Sequence, residues 1–398
     1  YYDARRNKRN TKSQLCFEIN LEDNMAVLFD ELRFRTYRPS PCICFIIRDP
    51  VQREIFASDF RDRVVHHLLF NHIAPLFDQL FIHDSYSCRK GKGTLEGIRR
   101  YEHHIRSCTD NYRYAAYVLK LDIQGYFMSI DKRRLYDIIV STIRRKMVSD
   151  RRWRQEVDPE LADFLVRVIL LRDPTADAVI VGSKSDWQGL PPSKSLFCSP
   201  KGCGMPIGDL TSQLFSNIYL NELDQMVKRK LGMRHYGRYV DDFYIVDRSK
   251  ERLKMLVPLL RIWLTDKLGL TLHPRKVVIQ YCRKSTRFLG AVVMPYRRYP
   301  CGRTTGRFRS KIYTSTHMLR RHEGNIGLRQ ALKLRAVINS YLGYLNHYRC
   351  YQLVKRHTET SELCRIFTFQ RCFRKAVLRS NIVKVSQVLA DKNNAINV

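Results

Sequence analysis

The chain has 398 residues, which is enough for two or three structural units, and 44% of them are hydrophobic, enough for sizeable cores. Lys and Arg number 71 against 38 Asp and Glu, so the net charge is +33, and an excess of this sign attracts polyphosphate partners such as nucleic acid. No apolar run approaches the roughly 20 residues that span a bilayer and no signal peptide is recognisable, so we expect a cytoplasmic protein without a membrane partner.

The positive charge is concentrated at the end of the chain. Residues 297–398 contain 21 Lys and Arg against 4 Asp and Glu, which is about half of the whole excess. A second, shorter basic stretch lies within residues 1–12. The twelve cysteines are scattered and form no Cys-x2-Cys pair, which favours reduced thiols over a structural zinc site.

The first third of the chain predicts two helices, a strand and a basic loop. Apolar spacing indicates an amphipathic helix over 20–34, a buried strand over 42–47 and a long helix over 58–81. The segment Ser85–Gly93 follows, in which three basic residues alternate with glycines. Such a loop can direct guanidinium and N–H groups at phosphates, although a solvated turn has the same composition.

Asp122 is the first candidate for a catalytic carboxylate. It lies in the predicted strand that begins at Tyr117, among apolar and β-branched residues. A carboxylate in such a run is costly unless it is paired or bound to a metal. A salt-bridged core aspartate is the alternative interpretation.

The middle of the chain predicts helices over 131–171 and then a Gly-, Pro- and Ser-rich insertion over 173–200, interpreted as a surface loop. A turn at Gly204–Gly208 precedes another helix that reaches Leu231.

Two adjacent carboxylates follow, in the stretch Tyr239-Val240-Asp241-Asp242-Phe243. Alternation of apolar and polar residues on both sides predicts two short strands joined at the acidic pair. Neighbouring carboxylates repel each other, and a divalent cation is the usual compensation. We therefore predict a metal site here, with Asp122 as a third ligand.

The last third predicts a helix over 250–267, a loop containing Lys276 that enters a strand, and a short strand that ends at Phe288-Leu289-Gly290. A later helix places Leu334, Ile338 and Leu342 on one face. This basic segment is typical of a small helical domain that grips a phosphate backbone.

The order of these parts resembles the seven-block pattern of reverse transcriptases over nearly the whole chain. Within that family the chain is most similar to the enzymes of diversity-generating retroelements, on the residues Ile207-Gly208-Asp209-Leu210-Thr211-Ser212-Gln213, Asp59–His67 and Ser340–His347. Two departures are Asp209, where Asn is common, and a tail beyond Tyr348 that is longer than in compact members.

The resemblance implies an α+β, right-hand polymerase fold with an antiparallel palm sheet and a helical thumb. Its parts would be a basic arm at 1–19, fingers at 20–117, a palm at 118–300 with a finger-side insertion at about 172–203, and a basic thumb and tail at 301–398.

The resemblance also implies nucleotidyl transfer by two Mg²⁺ ions. Asp122, Asp241 and the backbone carbonyl of Ile123 would bind the metals, with Asp242 beside them. Roles in nucleotide binding fall to Arg89 at the triphosphate, Tyr126 as a gate against the ribose 2′-hydroxyl, Lys276 as general acid, and Ile207, Gly208 and Gln213. The primer grip would be Phe288, Leu289 and Gly290.

Ile207 is the substitution that points to error-prone copying. Most relatives have a Gln there, which braces the nascent base pair by hydrogen bonding, whereas Ile can only pack. The resemblance implies errors opposite template adenines and mutagenic retrohoming from a template-repeat RNA. A neutral core residue is the alternative interpretation of Ile207.

The implied partners are a template RNA, a cDNA primer-template, dNTPs and a small basic accessory variability protein that forms an oligomer, in a bacterial or phage-encoded system. Two other functions remain open: a group II intron type reverse transcriptase and maturase, and a non-catalytic RNA-binding protein on a polymerase-like fold. The three carboxylates disfavour the non-catalytic protein, and the Ile207–Gln213 block disfavours the group II intron type enzyme.

Overall fold

The structure is a computed structural model that describes residues 1–6, 10–49, 51–322 and 326–379. The chain divides into two compact units, Tyr1–Tyr281 and Cys282–Val398. Part of the predicted basic arm, residues 7–9, and the end of the predicted tail, residues 380–398, lie outside the described residues. The boundaries predicted for fingers, palm and thumb stay predictions.

The first unit is built around a four-stranded antiparallel sheet in the order β5-β6-β3-β7. The central strands β3 and β6 are largely buried, because their runs of apolar residues are covered by helices. The strands are β3 (Tyr117–Leu121), β5 (His235–Tyr239), β6 (Asp242–Asp247) and β7 (Val278–Tyr281).

Eleven helices accompany this sheet in the described part of the first unit. The most buried is α10, which contacts α4 and α7 and carries Leu214, Ile218 and Leu223 into the core. The helices are α1 (Tyr2–Arg5), α2 (Lys12–Ile19), α3 (Leu21–Arg33), α4 (Phe60–Leu80), α5 (Thr94–Cys108), α6 (Tyr126–Ser129), α7 (Lys132–Ser149), α8 (Arg151–Glu156), α9 (Pro159–Leu171), α10 (Leu210–Gln225) and α11 (Lys250–Trp263).

A small separate sheet forms from β1 (Ile43–Ile47), β2 (Arg53–Ala57) and β4 (Val179–Ile180). Strands β1 and β2 form an antiparallel hairpin, and β4 pairs with β1 in parallel. Strand β4 belongs to the Gly/Pro/Ser-rich insertion, most of whose residues are exposed, so the insertion is a surface segment as predicted, anchored to β1 by two paired residues. Buried Glu54 of β2 fixes it by accepting hydrogen bonds from Trp187, Ser195 and the backbone of Leu196.

The second unit contains a three-stranded antiparallel sheet, a helical group and a terminal hairpin. Its predicted helix is confirmed as α13, which buries Leu334, Ile338 and Leu342. The elements are β8 (Thr286–Phe288), β9 (Ala291–Met294), β10 (Arg297–Pro300), α12 (Gly302–Arg321), α13 (Leu328–Leu345), α14 (Tyr351–Glu359), α15 (Leu363–Ile366), β11 (Phe367–Gln370) and β12 (Lys375–Leu378).

The predicted α+β class is confirmed by this mixture of helices and mainly antiparallel sheets. None of the helices in residues 1–6, 10–49, 51–322 and 326–379 has the length and apolar character to cross a bilayer. All twelve cysteines lie in the described residues as free thiols. Five of them are buried, namely Cys42, Cys44, Cys108, Cys282 and Cys350.

Candidate active site

The acidic pair lies in a tight turn at the end of the central sheet. Strand β5 ends at Tyr239, which pairs with Asp242 at the start of β6, so Val240 and Asp241 form the turn as predicted. Val240 has a φ of 55°, in the left-handed region that a β-branched residue rarely adopts. The turn is therefore a strained segment that the surrounding structure must hold.

Asp122 lies beside this turn because of the register between β3 and β6. Leu121 is paired with Phe243, so the next residue along β3 is opposite Asp242. Asp122 was expected within the strand, but β3 ends at Leu121. The chain leaves the ladder there because the Asp122 carbonyl accepts a hydrogen bond from the backbone N–H of His273, at 2.8 Å.

Burial and mutual repulsion change the acidity of the turn carboxylates. Burial, followed by repulsion from Asp122, raises the pKa of Asp241 to about 6. Burial also raises the pKa of Asp242 to about 6, with Lys120 opposing the shift and Asp122 adding to it. Two carboxyls that resist ionisation beside a third are a site that a cation would stabilise.

Lys276 faces Asp122 from the loop before β7. Its Nζ lies 2.6 Å from Oδ2 of Asp122. The loop is held against the residues after β3 by two backbone contacts. The Gln124 N–H donates to the Thr271 carbonyl at 2.9 Å, and Ile123 forms an isolated antiparallel β-bridge with Leu272. The predicted juxtaposition of Lys276 and the carboxylates is thus present.

These residues line one cavity of about 800 Å³ in the first unit. It brings together nine of the ten predicted site residues of that unit. They are Asp122, Ile123, Tyr126, Ile207, Gly208, Gln213, Asp241, Asp242 and Lys276.

Tyr126 is fixed in the cavity wall. Its ring is 2% exposed, and its hydroxyl donates to the Ser216 carbonyl of α10 at 2.5 Å. The hydroxyl is therefore committed to the protein, and only the ring can meet a substrate. This arrangement suits a steric gate and equally suits core packing, so the gate stays a prediction.

Ile207 and Gly208 dock the turn before α10 onto β2. The Phe56 N–H donates to the Ile207 carbonyl at 3.0 Å, and the Ile207 side chain packs against the apolar cluster that includes Phe56. A Cβ at Gly208 would lie 2.2 Å from the Phe56 carbonyl oxygen, which explains the glycine. Gln213, exposed on the first turns of α10, completes this wall.

The structure does not place Arg89 among the residues that line the cavity, so its predicted role at the triphosphate stays a prediction. Its guanidinium pairs with Asp78 at 2.6 Å, donates to the carbonyls of Ile82 and Ser85, and stacks on Phe81. The N–H groups of Arg89 thus donate to acceptors within the protein, and the residue does not line the cavity. In this structure its guanidinium ties the basic loop to the end of α4.

Two exposed cations that were not predicted line the cavity instead. Arg53 comes from β2 and Lys194 from the insertion. The sequence Arg53-Glu54-Ile55-Phe56 has no polar/apolar alternation, because the residue that β2 buries beside Phe56 is the charged Glu54, so local sequence did not indicate this strand. Nothing local in the sequence indicates that Lys194 reaches the cavity, because the insertion is held there by distant Glu54.

Comparison with known proteins supports a reverse transcriptase domain in the segment that carries much of this site. Residues 182–293 match the family "Reverse transcriptase (RNA-dependent DNA polymerase)". The predicted reverse transcriptase domain is confirmed. The matched segment contains Ile207, Gly208, Gln213, Asp241 and Asp242, so the activity of this domain is that of an RNA-directed DNA polymerase, a nucleotidyltransferase.

Similar proteins are known from bacteria and yeasts. The chain is 24% identical to Protein YkfC of Escherichia coli (strain K12), over 70% of this chain and 73% of that protein. A telomerase structure from Candida albicans in complex with a telomeric RNA fragment aligns with a TM-score of 0.49 at 10% identity, covering 83% of this chain and 66% of that one. An apo telomerase from Candida Tropicalis aligns with a TM-score of 0.43 at 12% identity, covering 66% and 49%. The chain thus spans between about half and two thirds of these telomerase chains.

The donor set of the reverse transcriptase domain fits a hard divalent cation in its chemistry. Carboxylate and carbonyl oxygens are the ligands that Mg²⁺ takes, and the raised pKa values of Asp241 and Asp242 show that uncompensated negative charge is costly here. Asp122 engages Lys276, and within the described residues no three His, Cys, Asp or Glu side chains converge as a metal cluster. Lys276 pairs with Oδ2 of Asp122, and the role of Asp122 as a metal ligand stays a prediction.

The predicted primer grip lies in the second unit. Phe288 ends β8 and is buried, while Leu289 and Gly290 form the turn to β9 with φ values of 47° and 79°. The Gly290 carbonyl accepts a hydrogen bond from the Cys301 N–H at 2.8 Å. This hydrogen bond ties the turn to the residue before α12, and the role of the turn at the primer stays a prediction.

Proposed function

We propose that this protein is the error-prone reverse transcriptase of a diversity-generating retroelement, which copies a template-repeat RNA into adenine-mutagenised cDNA. The observation that supports the proposal is the environment of Ile207. Its side chain lines the cavity beside the carboxylates and can offer a base pair only apolar contact. Weaker bracing lowers the penalty for a mispair, and each 1.4 kcal/mol lost is roughly tenfold in selectivity.

The chemistry assigned to the cavity is nucleotidyl transfer. Asp122, Asp241 and the Ile123 carbonyl would hold two Mg²⁺ ions, with Asp242 adding negative charge beside them. When bound, the ions supply Lewis-acid activation of the primer 3′-hydroxyl and neutralise the triphosphate. The side chain of Lys276 reaches the same place and would donate a proton to the leaving pyrophosphate.

The remaining wall of the cavity positions the nucleotide. The ring of Tyr126, fixed through its hydroxyl, would exclude a ribose 2′-hydroxyl and so select dNTPs. Gly208 lets the backbone before α10 lie against β2, which leaves Gln213 exposed toward the nucleotide. Arg53 and Lys194 supply positive charge for the triphosphate.

The partners follow from charge and from the resemblance. The basic residues of 297–398 would bind the template RNA and the primer-template, with Phe288, Leu289 and Gly290 at the primer. A small basic accessory variability protein would act with the enzyme in the cytoplasm of a bacterium that carries the retroelement itself or on a phage.

Sequencing of cDNA made from a defined RNA tests the proposal. We expect the wild-type protein to misincorporate mainly opposite adenine, and the Ile207→Gln variant to lower that error at least fivefold while errors opposite other bases change little. Ile55→Gln is a matched control, because Ile55 lies beside Gly208 but outside the cavity lining. An even, low error at all four bases in the wild-type protein would favour the group II intron type enzyme. An unchanged adenine error in Ile207→Gln would remove Ile207 from the explanation.

A further inference from the structure

Arg238 is a fully buried cation directly before the catalytic turn. It lies on β5 with an exposed fraction of 0%, two residues before Val240. Its Nε and Nη2 donate to the two oxygens of Asp224 on α10, at 2.8 and 2.7 Å. Burial alone would lower the pKa of Arg238, but the adjacent Asp224 carboxylate raises it, so the side chain is a permanent cation.

The remaining donors of Arg238 connect three separate segments. Nη1 donates to the Val240 carbonyl at 3.0 Å and to Oδ1 of Asn217 at 3.3 Å, and Nη2 donates to Oγ of Ser85 at 3.2 Å. All five N–H groups of the guanidinium are therefore used. Burial requires a partner for each of these donors, and one partner, the Val240 carbonyl, lies in the catalytic turn itself.

The Val240 carbonyl belongs to the peptide that leads into Asp241. Val240 has a φ of 55°, which is unfavourable for a β-branched residue, so the turn tends to relax toward another conformation. The guanidinium, which is itself bonded to Asp224 of α10, holds the Val240 carbonyl in place by a hydrogen bond. Because this peptide sets the direction in which Asp241 leaves the turn, the bond acts on the position of the catalytic carboxylate.

We propose that Arg238 is a positioning residue for the polymerase reaction, which holds the strained turn at Val240 so that Asp241 is presented to the cavity. The proposal rests on the function proposed above. A lysine in place of Arg238 could still pair with Asp224, but its single nitrogen cannot span Asp224 and the Val240 carbonyl together. Arg238→Lys therefore separates charge compensation from positioning.

Steady-state kinetics on three variants tests this role. We expect Arg238→Lys to lower kcat for dNTP addition at least tenfold and to change KM for dNTP less than twofold. The double variant Arg238→Lys/Val240→Gly should have a kcat at least threefold higher than Arg238→Lys alone, because glycine adopts the left-handed conformation without being held. Tyr236→Phe is the control, because it removes the 2.6 Å hydrogen bond from Tyr236 to Asp224 without touching the turn. It should lower Tm and leave kcat within twofold of wild type.

A merely structural role predicts a different pattern, in which kcat falls in proportion to Tm in both Arg238→Lys and Tyr236→Phe and Val240→Gly restores nothing. That pattern would overturn the proposal. A crystal structure of Arg238→Lys decides without any activity measurement: we expect the Val240 carbonyl to move and φ to leave the left-handed region. An unmoved turn in that crystal structure would also overturn it. A wild-type protein without RNA-templated synthesis would overturn the proposed function, and the structure of the variant would still test the positioning.

Discussion

The ammonium group of Lys276 lies 2.6 Å from the carboxylate of Asp122, across a separation of 154 residues in the chain. The contact joins a loop to the end of a central strand, and backbone hydrogen bonds hold the loop in place on both sides of it. The lysine compensates Asp122, and its side chain is still 58% exposed toward the cavity. Lys276 therefore balances the carboxylate while much of its side chain stays exposed, and its role at the leaving group stays a prediction.

Replacement of Lys276 should separate these two roles. Lys276→Ala should lower kcat about 100-fold or more, the usual contribution of a general acid. Lys276→Arg keeps the positive charge beside Asp122 but cannot release a proton, so it should remain as slow as the alanine variant. Single-turnover dNTP addition measures both, with Lys267→Ala, an exposed lysine in the π-helical turn Leu264–Leu268 that follows α11, as the control. Full activity of Lys276→Arg would rule out proton donation and leave only charge compensation.

Asp241 should destabilise the metal-free protein at neutral pH. Burial and repulsion raise its pKa from about 3.8 to about 6, so above pH 6 the folded state holds a charge that the unfolded state holds more easily. Asp241→Asn should therefore raise the free energy of unfolding at pH 7.5 by about 1–2 kcal/mol, allowing for solvent screening of this half-buried group, while abolishing cDNA synthesis.

The destabilisation by ionised Asp241 should depend on pH in one direction. Because the folded pKa is raised from 3.8 to about 6, the destabilisation develops as the pH rises between these two values. It is small at pH 4 and vanishes below about pH 3, where both states are protonated. Urea unfolding with a chelator at pH 4 and pH 7.5 measures it. Asp137→Asn, at an exposed carboxylate on α7, should change stability by less than about 0.5 kcal/mol at either pH. A gain for Asp241→Asn that is equal at both pH values would contradict the explanation.

Hydrophobic periodicity predicted the long elements of the first unit well. The helix expected over 58–81 is observed as Phe60–Leu80, and the strand expected over 42–47 as Ile43–Ile47. The short strands β2 and β4 were missed, because charged residues interrupt the first and only two residues form the second. Elements this short acquire their conformation from pairing with β1, which local sequence does not encode.

The candidate site was predictable where a residue's position follows from the backbone. The carboxylates and Lys276 came together because strand register and a loop closure fix them. The sequence did not indicate that Arg89 points away from the cavity, because its direction depends on an ion pair with Asp78, which lies on a helix eleven residues earlier. The buried pair of Arg238 and Asp224 was not predicted either, since hydrophobic patterns assign charged residues to the surface.

Gly208 should tolerate no side chain. In Gly208→Ala the new Cβ would meet the Phe56 carbonyl oxygen at 2.2 Å, with a φ of 151° that adds strain. We expect a loss of about 2–4 kcal/mol in the free energy of unfolding and a matching loss of cDNA synthesis, because the turn before α10 would separate from β2. Gly306→Ala is the control: its Cβ would meet no atom within 4 Å in the interior of α12, so stability should rise by about 0.5–1 kcal/mol. Wild-type stability in Gly208→Ala would show that the two segments can move apart freely.

Glu54 should hold the insertion that forms one wall of the cavity. Its carboxylate is 1% exposed and accepts hydrogen bonds from Trp187 at 2.7 Å, Ser195 at 2.8 Å and the Leu196 N–H at 2.6 Å. Glu54→Ala leaves these donors without their acceptor, and the cost should be about 3–5 kcal/mol in the free energy of unfolding. The insertion should then detach, so trypsin should cleave at Lys184 or Lys194 at least tenfold faster than in the wild-type protein. KM for dNTP should rise as Lys194 leaves the cavity.

The control is Glu222→Ala, at an exposed glutamate on α10, which should change stability by less than about 0.5 kcal/mol and leave the cleavage rate unchanged. Cleavage of Glu54→Ala at the wild-type rate would mean that the pairing of β4 with β1 is sufficient to hold the insertion.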